Sequence, residues 1–429
     1  MALSKFADLS EEEFVKLHLK YRPSAAKVAS VKSEITLSSF RDDSKLGSAA
    51  SDAGLPKEFS WTKPPPGYGK VVGPVHNQQD ICASCWAFVT ADSIAGRWAV
   101  INKGQDIEEM SVKQLMVCDK QDNGCNTGNM YTAYDWIGEN GGLATMKDYD
   151  KRVPGEVQDD ESAQCDPSVK LTLTTPGMCD LKMTAGNRAL MLAIKESGPV
   201  AIGINANNLQ FYDSGIIDAA SCPPAGRGIQ SINHAALVVG WGEENGKKYW
   251  LVKNSYGTEF GENGYFKLER NEPSETDLFG TCGLLFESVY PTVTKKGDND
   301  AELGIEKQCT QGSVFKKDYY RNENDNPGAS GAATLSAMAE ADAAVAAAAA
   351  AAALASLGGA AAVSSTSANT LGGAAAATKY AAVWGGAAVM SEGTAALLKG
   401  VSLLVAAAGI AVIGFHYGKR PTDYEPISV

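Results

Sequence analysis

The spacing of apolar and polar positions divides this chain into a helical stretch, a β-rich stretch and a long tail of small residues. From Cys85 to Ile101 the apolar residues Phe88, Ala91, Ala95, Trp98 and Ile101 recur at helical intervals, and Ser84 stands where a helix N-cap belongs. Such a stripe marks a face turned to the core. Shorter helices are predicted over Ser111–Cys118 and Met130–Ile137, separated by the turn-rich residues Asp122 to Gly128. An amphipathic helix is predicted earlier, over Ala7–Tyr21, with Glu11, Glu12 and Glu13 near its start and Phe14, Leu17 and Leu19 as its apolar positions. A polar spacer then runs to Gly54.

After about Lys170 the pattern changes to short β-type runs bounded by Gly and Asn: Val200–Ile204, Ala235–Val239, Tyr249–Val252, Tyr265–Leu268 and Leu284–Val289. One helix, Arg188–Ser197, interrupts them. A helical half followed by a β half predicts an α+β protein of two lobes with a cleft between them.

Beyond about Pro327 the sequence is dominated by Ala, Gly, Ser and Thr, and Ala339–Leu357 is nearly all alanine. Alanine favours helix, but with no second apolar face to bury this reads as a spacer. Gly400–Gly418 differs, being an uncharged run carrying Val401, Leu403, Leu404, Val405, Ile410, Val412, Ile413 and Phe415. At about 1.5 Å per residue it reaches roughly 28 Å, close to the roughly 30 Å of a bilayer's hydrocarbon, and predicts one transmembrane helix. Lys419 and Arg420 follow directly, which favours a cytosolic tail over 419–429. The tail contains Tyr424-Glu425-Pro426-Ile427, the form of an endosomal or lysosomal sorting signal.

The formal net charge is −12, and no dense Lys/Arg stripe is present, which argues against nucleic acid as a partner. Nine cysteines, eight of them between Cys82 and Cys282 and the ninth at 309, suit an oxidising compartment with disulfides and one odd thiol. Cys82 and Cys85 have no second CxxC or HxxxH to complete a zinc site, so neither a metal nor another cofactor is expected. Met1 to Phe6 has no apolar core of the kind a secretory signal carries, so the chain is expected to lack its natural N-terminus.

The chemistry concentrates in Gln79-Asp80-Ile81-Cys82-Ala83-Ser84-Cys85-Trp86-Ala87-Phe88. A cysteine at a helix N-terminus gains thiolate character from the helix dipole and gains more from a neighbouring imidazolium. Only four histidines exist. His18 lies in the acidic N-terminal helix, His76 in the loop before the motif and His416 at the membrane edge. His234 begins an apolar β run, from which its ring can project into a cleft, and it is the candidate base. Asn254, at the end of the run Trp250–Lys253, can orient an imidazole, and Gln79 can donate its N–H to a developing oxyanion beside the Cys85 amide. Alone, the CxxC also fits an oxidoreductase. That reading wants a thioredoxin-type βαβ context, whereas a helix-rich lobe precedes a β lobe here.

Gln79–Phe88, Ile232-Asn233-His234-Ala235, Lys253-Asn254-Ser255-Tyr256-Gly257 and Gly261-Glu262-Asn263-Gly264-Tyr265 together resemble the papain-like cysteine peptidases of the cathepsin L type, over roughly residues 55–291. The resemblance implies a helical left lobe (55–170) and a β-barrel right lobe (171–292), followed by a linker (293–399), the transmembrane helix (400–418) and the tail. It makes Cys85 the nucleophile, His234 the acid/base, Asn254 the orienter and Gln79 the oxyanion donor. Residues 5–14 are similar to the late part of the family's inhibitory propeptide, so 1–54 is expected to be the end of a propeptide, removed near Ala53–Leu55. The implied disulfides are Cys82–Cys125, Cys118–Cys165 and Cys222–Cys282. Cys179 and Cys309 are left over, either paired or free.

The resemblance also implies that Gly128 holds an extended peptide and that Met130, Gly203, Ile232, Ala235 and Glu287 line the second subsite, with Asn233 and Tyr256 also in the substrate cleft. Glu287 lies where some relatives, including trypanosomatid enzymes, carry Glu, which would let the pocket take Arg as well as Leu or Phe. The alternative is a Glu287 that points to solvent. Ala83 and Thr127 stand in place of usual glycines, and Tyr256 and Phe260 in place of usual tryptophans. The expected protein is therefore a monomeric endopeptidase acting on polypeptides, inhibited by its own propeptide and tethered to an endosomal or lysosomal membrane. An impaired homologue serving as a membrane-tethered binding protein is the alternative.

Overall fold

The computed structural model describes residues 4–24, 27–28, 54–78, 82–150, 164–182, 185–222, 231–271, 279–298 and 304–317. The alanine tract, the predicted span at 400–418, the tail and Gln79 lie outside the described residues. No helix among the described residues is long and apolar enough to cross a membrane.

The first helix, α1 (Glu11–His18), is shorter than the predicted Ala7–Tyr21. Its start is set by a capping box: the Ser10 hydroxyl accepts from the Glu13 N–H while the Glu13 carboxylate accepts from the Ser10 N–H. Tyr21, expected as its last residue, is pulled away to bond the backbone of Asn233.

Helix α2 (Cys85–Ile101) has the predicted limits, but its burial is nearly all-round rather than one stripe. Ile101, expected on the buried face, is exposed. A helix apolar on all sides is a central one, packed on several elements at once. Ser84 occupies the N-cap position without making a side-chain cap bond. Helices α3 (Val112–Cys118) and α4 (Met130–Glu139) follow, capped by Ser111 and Asn129, with the single turn α5 (Met146–Tyr149) capped by Thr145. Helix α6 is Gly186–Ser197.

The strands are β1 (Phe59–Ser60), β2 (Leu173–Leu181), β3 (Val200–Ile204), β4 (Ile216–Ile217), β5 (His234–Glu244), β6 (Lys247–Lys253), β7 (Tyr265–Glu269), β8 (Glu287–Lys295) and β9 (Ser313–Lys316). They form one nine-stranded sheet in the order β4-β7-β6-β5-β3-β8-β2-β9, with β1 added on β5. Every adjacent pair is antiparallel except β4 with β7. The expected barrel is an open path among the described strands, since no pairing joins β4 to β9.

Strand β2 is not among the predicted runs, and Pro176 and Gly177 lie inside it. The structure absorbs them in a register shift between Thr174 and Gly177. The run Leu284–Val289 is also corrected: its first residues follow a 3₁₀ turn, and β8 begins at Glu287.

The folded part does not stop at 292. Strand β8 continues to Lys295, and β9 pairs with β2 through residues 313–316, so the predicted linker begins with sheet. The left-over cysteines account for this, as Cys179 on β2 is bonded to Cys309 just before β9. The three implied disulfides, Cys82–Cys125, Cys118–Cys165 and Cys222–Cys282, are also formed.

Candidate active site

Cys85 is the first residue of α2, fully buried, and the one free cysteine among the described residues. The loop before it is pinned twice: Cys82 is bonded to Cys125, and the Ala83 N–H donates to the Cys125 carbonyl at 3.1 Å. Gln78 then stitches this loop to the far lobe. Its side-chain N–H donates to the Cys82 carbonyl at 3.1 Å, and its Oε1 accepts from the Ser255 hydroxyl at 2.7 Å. Gln79 follows immediately.

His234 opens β5 and Asn254 follows the end of β6, and the antiparallel pairing of those strands brings the two side chains together. His234 Nε2 lies 2.9 Å from Asn254 Oδ1. The same oxygen accepts from the Ser255 N–H at 2.9 Å, so Nε2 carries the proton and Nδ1 the lone pair. Facing that lone pair is the Tyr256 hydroxyl, 3.4 Å away, with the Tyr256 ring inclined over the imidazole at 5.0 Å between centroids. Asn254 Nδ2 is buried with no partner among the described residues. Behind the site, Lys253 Nζ pairs with Asp92 Oδ2 at 2.7 Å and ties β6 to α2.

A row of paired residues crosses the sheet beside the thiol: Ala235 opposite Gly203, and Gly203 opposite Glu287. Directly paired residues share one face, so these three form one wall. Gly203 leaves the room, since a Cβ there would stand 2.9 Å from Glu287 Oε2 and 3.0 Å from Ile232 Cγ2. Gly128 lies flat on the Trp86 indole, where a Cβ would come within 2.4 Å of the ring. Met130 and Ile232 are buried. Asn233 contributes backbone instead, its side chain being spent on the Ala206 N–H and Asn207.

The N-terminal segment covers this whole arrangement. Lys5 Nζ donates to the Tyr256 carbonyl at 3.0 Å, and the rings of Phe6 and His18 meet the Tyr256 ring edge-on. The Tyr21 N–H donates to the Asn233 carbonyl at 3.1 Å, Thr127 Oγ1 to the Lys20 carbonyl at 2.8 Å, and Asn129 Nδ2 to the Arg22 carbonyl at 2.8 Å. Glu287 is fully buried beneath it and does not point to solvent. Its two oxygens accept from the Tyr21 hydroxyl and the Ser24 N–H, each at 2.7 Å.

Covering changes the acid–base state. Burial pushes the Cys85 thiol up to about 12, against the N–H groups of Ala235, Trp86 and Cys85 itself. Burial takes His234 down to about 4, against its bond to Asn254. Both groups are therefore neutral in this state. Burial likewise raises Glu287 to about 7, against the Ser24, Tyr21, Lys27 and Asn129 contacts.

Sequence reading missed Tyr21, Asn129 and Gln78, all of which hold the site or its cover. Tyr21 was counted as a helix end, and only its pairing with a carboxylate hundreds of residues away reveals its place.

A free thiol at a helix N-terminus, met by the Ala235 N–H next to an Asn-held imidazole, is the arrangement of a cysteine protease. The chain belongs to the papain family of cysteine proteases, whose family model matches residues 55–292. It is 34% identical over 296 residues to a senescence-specific cysteine protease of Arabidopsis thaliana, covering 68% of this chain and 76% of that one. It is 31% identical over 304 residues to cathepsin L2 of Homo sapiens, covering 68% and 78%. Among solved structures, a recombinant stem bromelain precursor shares the fold at a TM-score of 0.51 and 24% identity, over 68% of this chain and 82% of that one.

Proposed function

We propose that the chain is the zymogen of an endopeptidase in which Cys85, His234, Asn254 and Gln79 carry catalysis. The observation that carries this reading is the 2.9 Å His234–Asn254 bond, one residue from the Ala235 N–H that meets a free thiol at a helix N-terminus. Once uncovered, His234 Nδ1 takes the Cys85 proton, giving a thiolate and an imidazolium held by Asn254. The sulfur attacks the peptide carbonyl carbon, forming a C–S bond while the oxyanion is met by the Cys85 N–H and the Gln79 side chain. The imidazolium protonates the leaving nitrogen as the C–N bond breaks. Water, deprotonated by His234, then attacks the thioester, releasing the acid and returning the thiol.

Residues 1–54 act as the inhibitory propeptide, with Tyr21 filling the second subsite over Glu287. The vacated pocket, with its carboxylate floor, takes Arg as well as Leu or Phe, as proposed for the trypanosomatid-like Glu at this place. Residues 400–418 anchor the enzyme in an endosomal or lysosomal membrane, with 419–429 in the cytosol.

A second reading, a catalytically impaired membrane-tethered binding protein, is favoured by the Tyr256 hydroxyl at His234 Nδ1. Labelling with an epoxide thiol inhibitor after propeptide removal separates the two. Stoichiometric modification of Cys85 that is lost in His234→Ala supports the peptidase, and an unlabelled thiol in the processed wild type removes it.

A further inference from the structure

Three residues past Ser24, the covering segment sends Lys27 into a second, deeper contact. A helical turn carries it there: the Lys27 N–H donates to the Ser24 hydroxyl at 3.1 Å and the Val28 N–H to the Ser24 carbonyl at 3.0 Å. The Lys27 side chain is 0% exposed, with Nζ 2.7 Å from Asp180 Oδ1 and 3.0 Å from the Leu181 carbonyl. The Tyr131 hydroxyl donates to the same Asp180 oxygen at 2.8 Å and so fixes the carboxylate independently of the lysine.

This contact continues the cleft wall. Asp180 on β2 pairs directly with Val289 on β8, and Val289 is two residues along the strand from Glu287. Directly paired residues share a face, and so do alternate residues of a strand. Asp180 and Glu287 therefore stand on one face as diagonal neighbours, with side chains at a separation on the order of 7–8 Å. Asn129, the N-cap of α4, contacts Glu287, and Tyr131 on the same helix reaches Asp180, so one helix borders both carboxylates.

We propose that Asp180, Tyr131 and the Leu181 carbonyl form a subsite of the released enzyme for a lysine or arginine side chain of its polypeptide substrates, beyond the pocket that Glu287 floors. The inference rests on the peptidase reading. Among the described residues, Lys27 is the cation that reaches Asp180, so removal of the propeptide leaves a held carboxylate facing the cleft without its charge partner. A buried carboxylate in that position favours replacement of the lost cation, and an ammonium or guanidinium on an extended substrate supplies one with matching donors. Glu287 floors the neighbouring pocket where Tyr21 sits, so it is addressed by a different residue of the substrate.

The test uses the processed enzyme, with competent sites counted by an epoxide inhibitor, and quenched peptides carrying Leu for the second subsite. Lysine and uncharged norleucine are exchanged at each position on the amino side of that Leu. One position is expected to favour lysine by about tenfold in kcat/KM. The ratio should fall to about one in Asp180→Asn, fall partway in Tyr131→Phe and persist in Glu287→Gln. Because each ratio is internal to one variant, partial loss of folded protein leaves it unchanged. Absence of a lysine-preferring position, or a preference that survives Asp180→Asn, overturns the subsite. A processed wild type that hydrolyses none of the peptides counts against the peptidase reading instead. The cation pocket is then read by binding of a synthetic 18–28 peptide with lysine or norleucine at position 27, and equal affinities overturn it.

Discussion

The Tyr21 hydroxyl donates to Glu287 Oε2 at 2.7 Å in a space where Tyr21 is 1% and Glu287 0% exposed, so a carboxylate is sealed under the covering segment. The two titrating groups under that cover respond to acid in opposite senses. Glu287, facing Tyr21, Ser24, Lys27 and Asn129, is raised from 4.5 to about 7 by burial. Its proton is held more tightly when covered, so it favours the covered state fully below pH 4.5 and loses that effect as the pH rises through about 7. His234, facing Asn254, Tyr256 and His18, is lowered from 6.5 to about 4 by burial. It favours the covered state above pH 6.5 and loses that effect as the pH falls through about 4.

The two shifts have opposite senses, so between pH 6.5 and 4.5 they oppose one another. Replacing Glu287 by Gln keeps an acceptor for Tyr21 but removes the opposing term. The rate of Cys85 alkylation in the unprocessed protein should therefore rise more steeply with acid in Glu287→Gln than in wild type. Parallel profiles over that window would show that Glu287 does not titrate under the cover.

His234→Ala should lower kcat/KM of the processed enzyme by about 10⁴-fold, since both the general base and the thiolate partner are lost. Asn254→Ala leaves the imidazole in place but frees its tautomer and orientation, and a loss of about 10²-fold is expected, mostly in kcat. Progress curves with a Phe- or Leu-type substrate measure both. Equal losses in the two variants would mean that Asn254 does more than orient the ring.

How much of this was readable beforehand depends on the range of the interaction. Helix α2 and strand β3 were legible to the residue because helical spacing and β-branched density are local properties. The Cys85, His234 and Asn254 set was legible because each sits in a distinctive local motif. Strand β2 was not, because Pro176 and Gly177 carry a turn signal that only the pairing with β8 overrides. Lys27 gave no signal at all. A lysine in a polar spacer reads as solvated, and its partners, Asp180 and the Leu181 carbonyl, lie on a strand more than 150 residues away.

The Lys253–Asp92 pair should matter for stability as well as placement. Lys253 Nζ is 2.7 Å from Asp92 Oδ2, with side-chain exposures of 1% and 19%. Asp92→Ala leaves a buried ammonium without its carboxylate, which costs about 3 kcal/mol. For a domain of this size that lowers the melting temperature by roughly 6–12 °C. Lys253→Met, which removes the charge and keeps the volume, should be milder. A calorimetric comparison in which Lys253→Met melts below Asp92→Ala would reverse this account.

Strand β9 predicts that the folded enzyme extends beyond the family match. It is held by the Cys179–Cys309 bond, which closes 130 residues, and by the Tyr290 hydroxyl, which accepts from the Thr310 N–H at 2.7 Å. Gln308 adds a two-way contact with Val293, accepting from its N–H at 3.2 Å and donating to its carbonyl at 3.4 Å. Replacing both cysteines by Ala should cost about 2–4 kcal/mol, because the constraint on the unfolded chain is lost. Tyr290→Phe, removing one hydroxyl, should cost about 1 kcal/mol. Limited proteolysis with a second protease reads the local consequence. In the double Ala variant, cleavage after residue 298 should release the β9 segment under conditions where the wild type keeps it. If the chain after residue 298 is cut equally fast with the disulfide intact, β9 is not part of the stable sheet and the folded enzyme ends with β8.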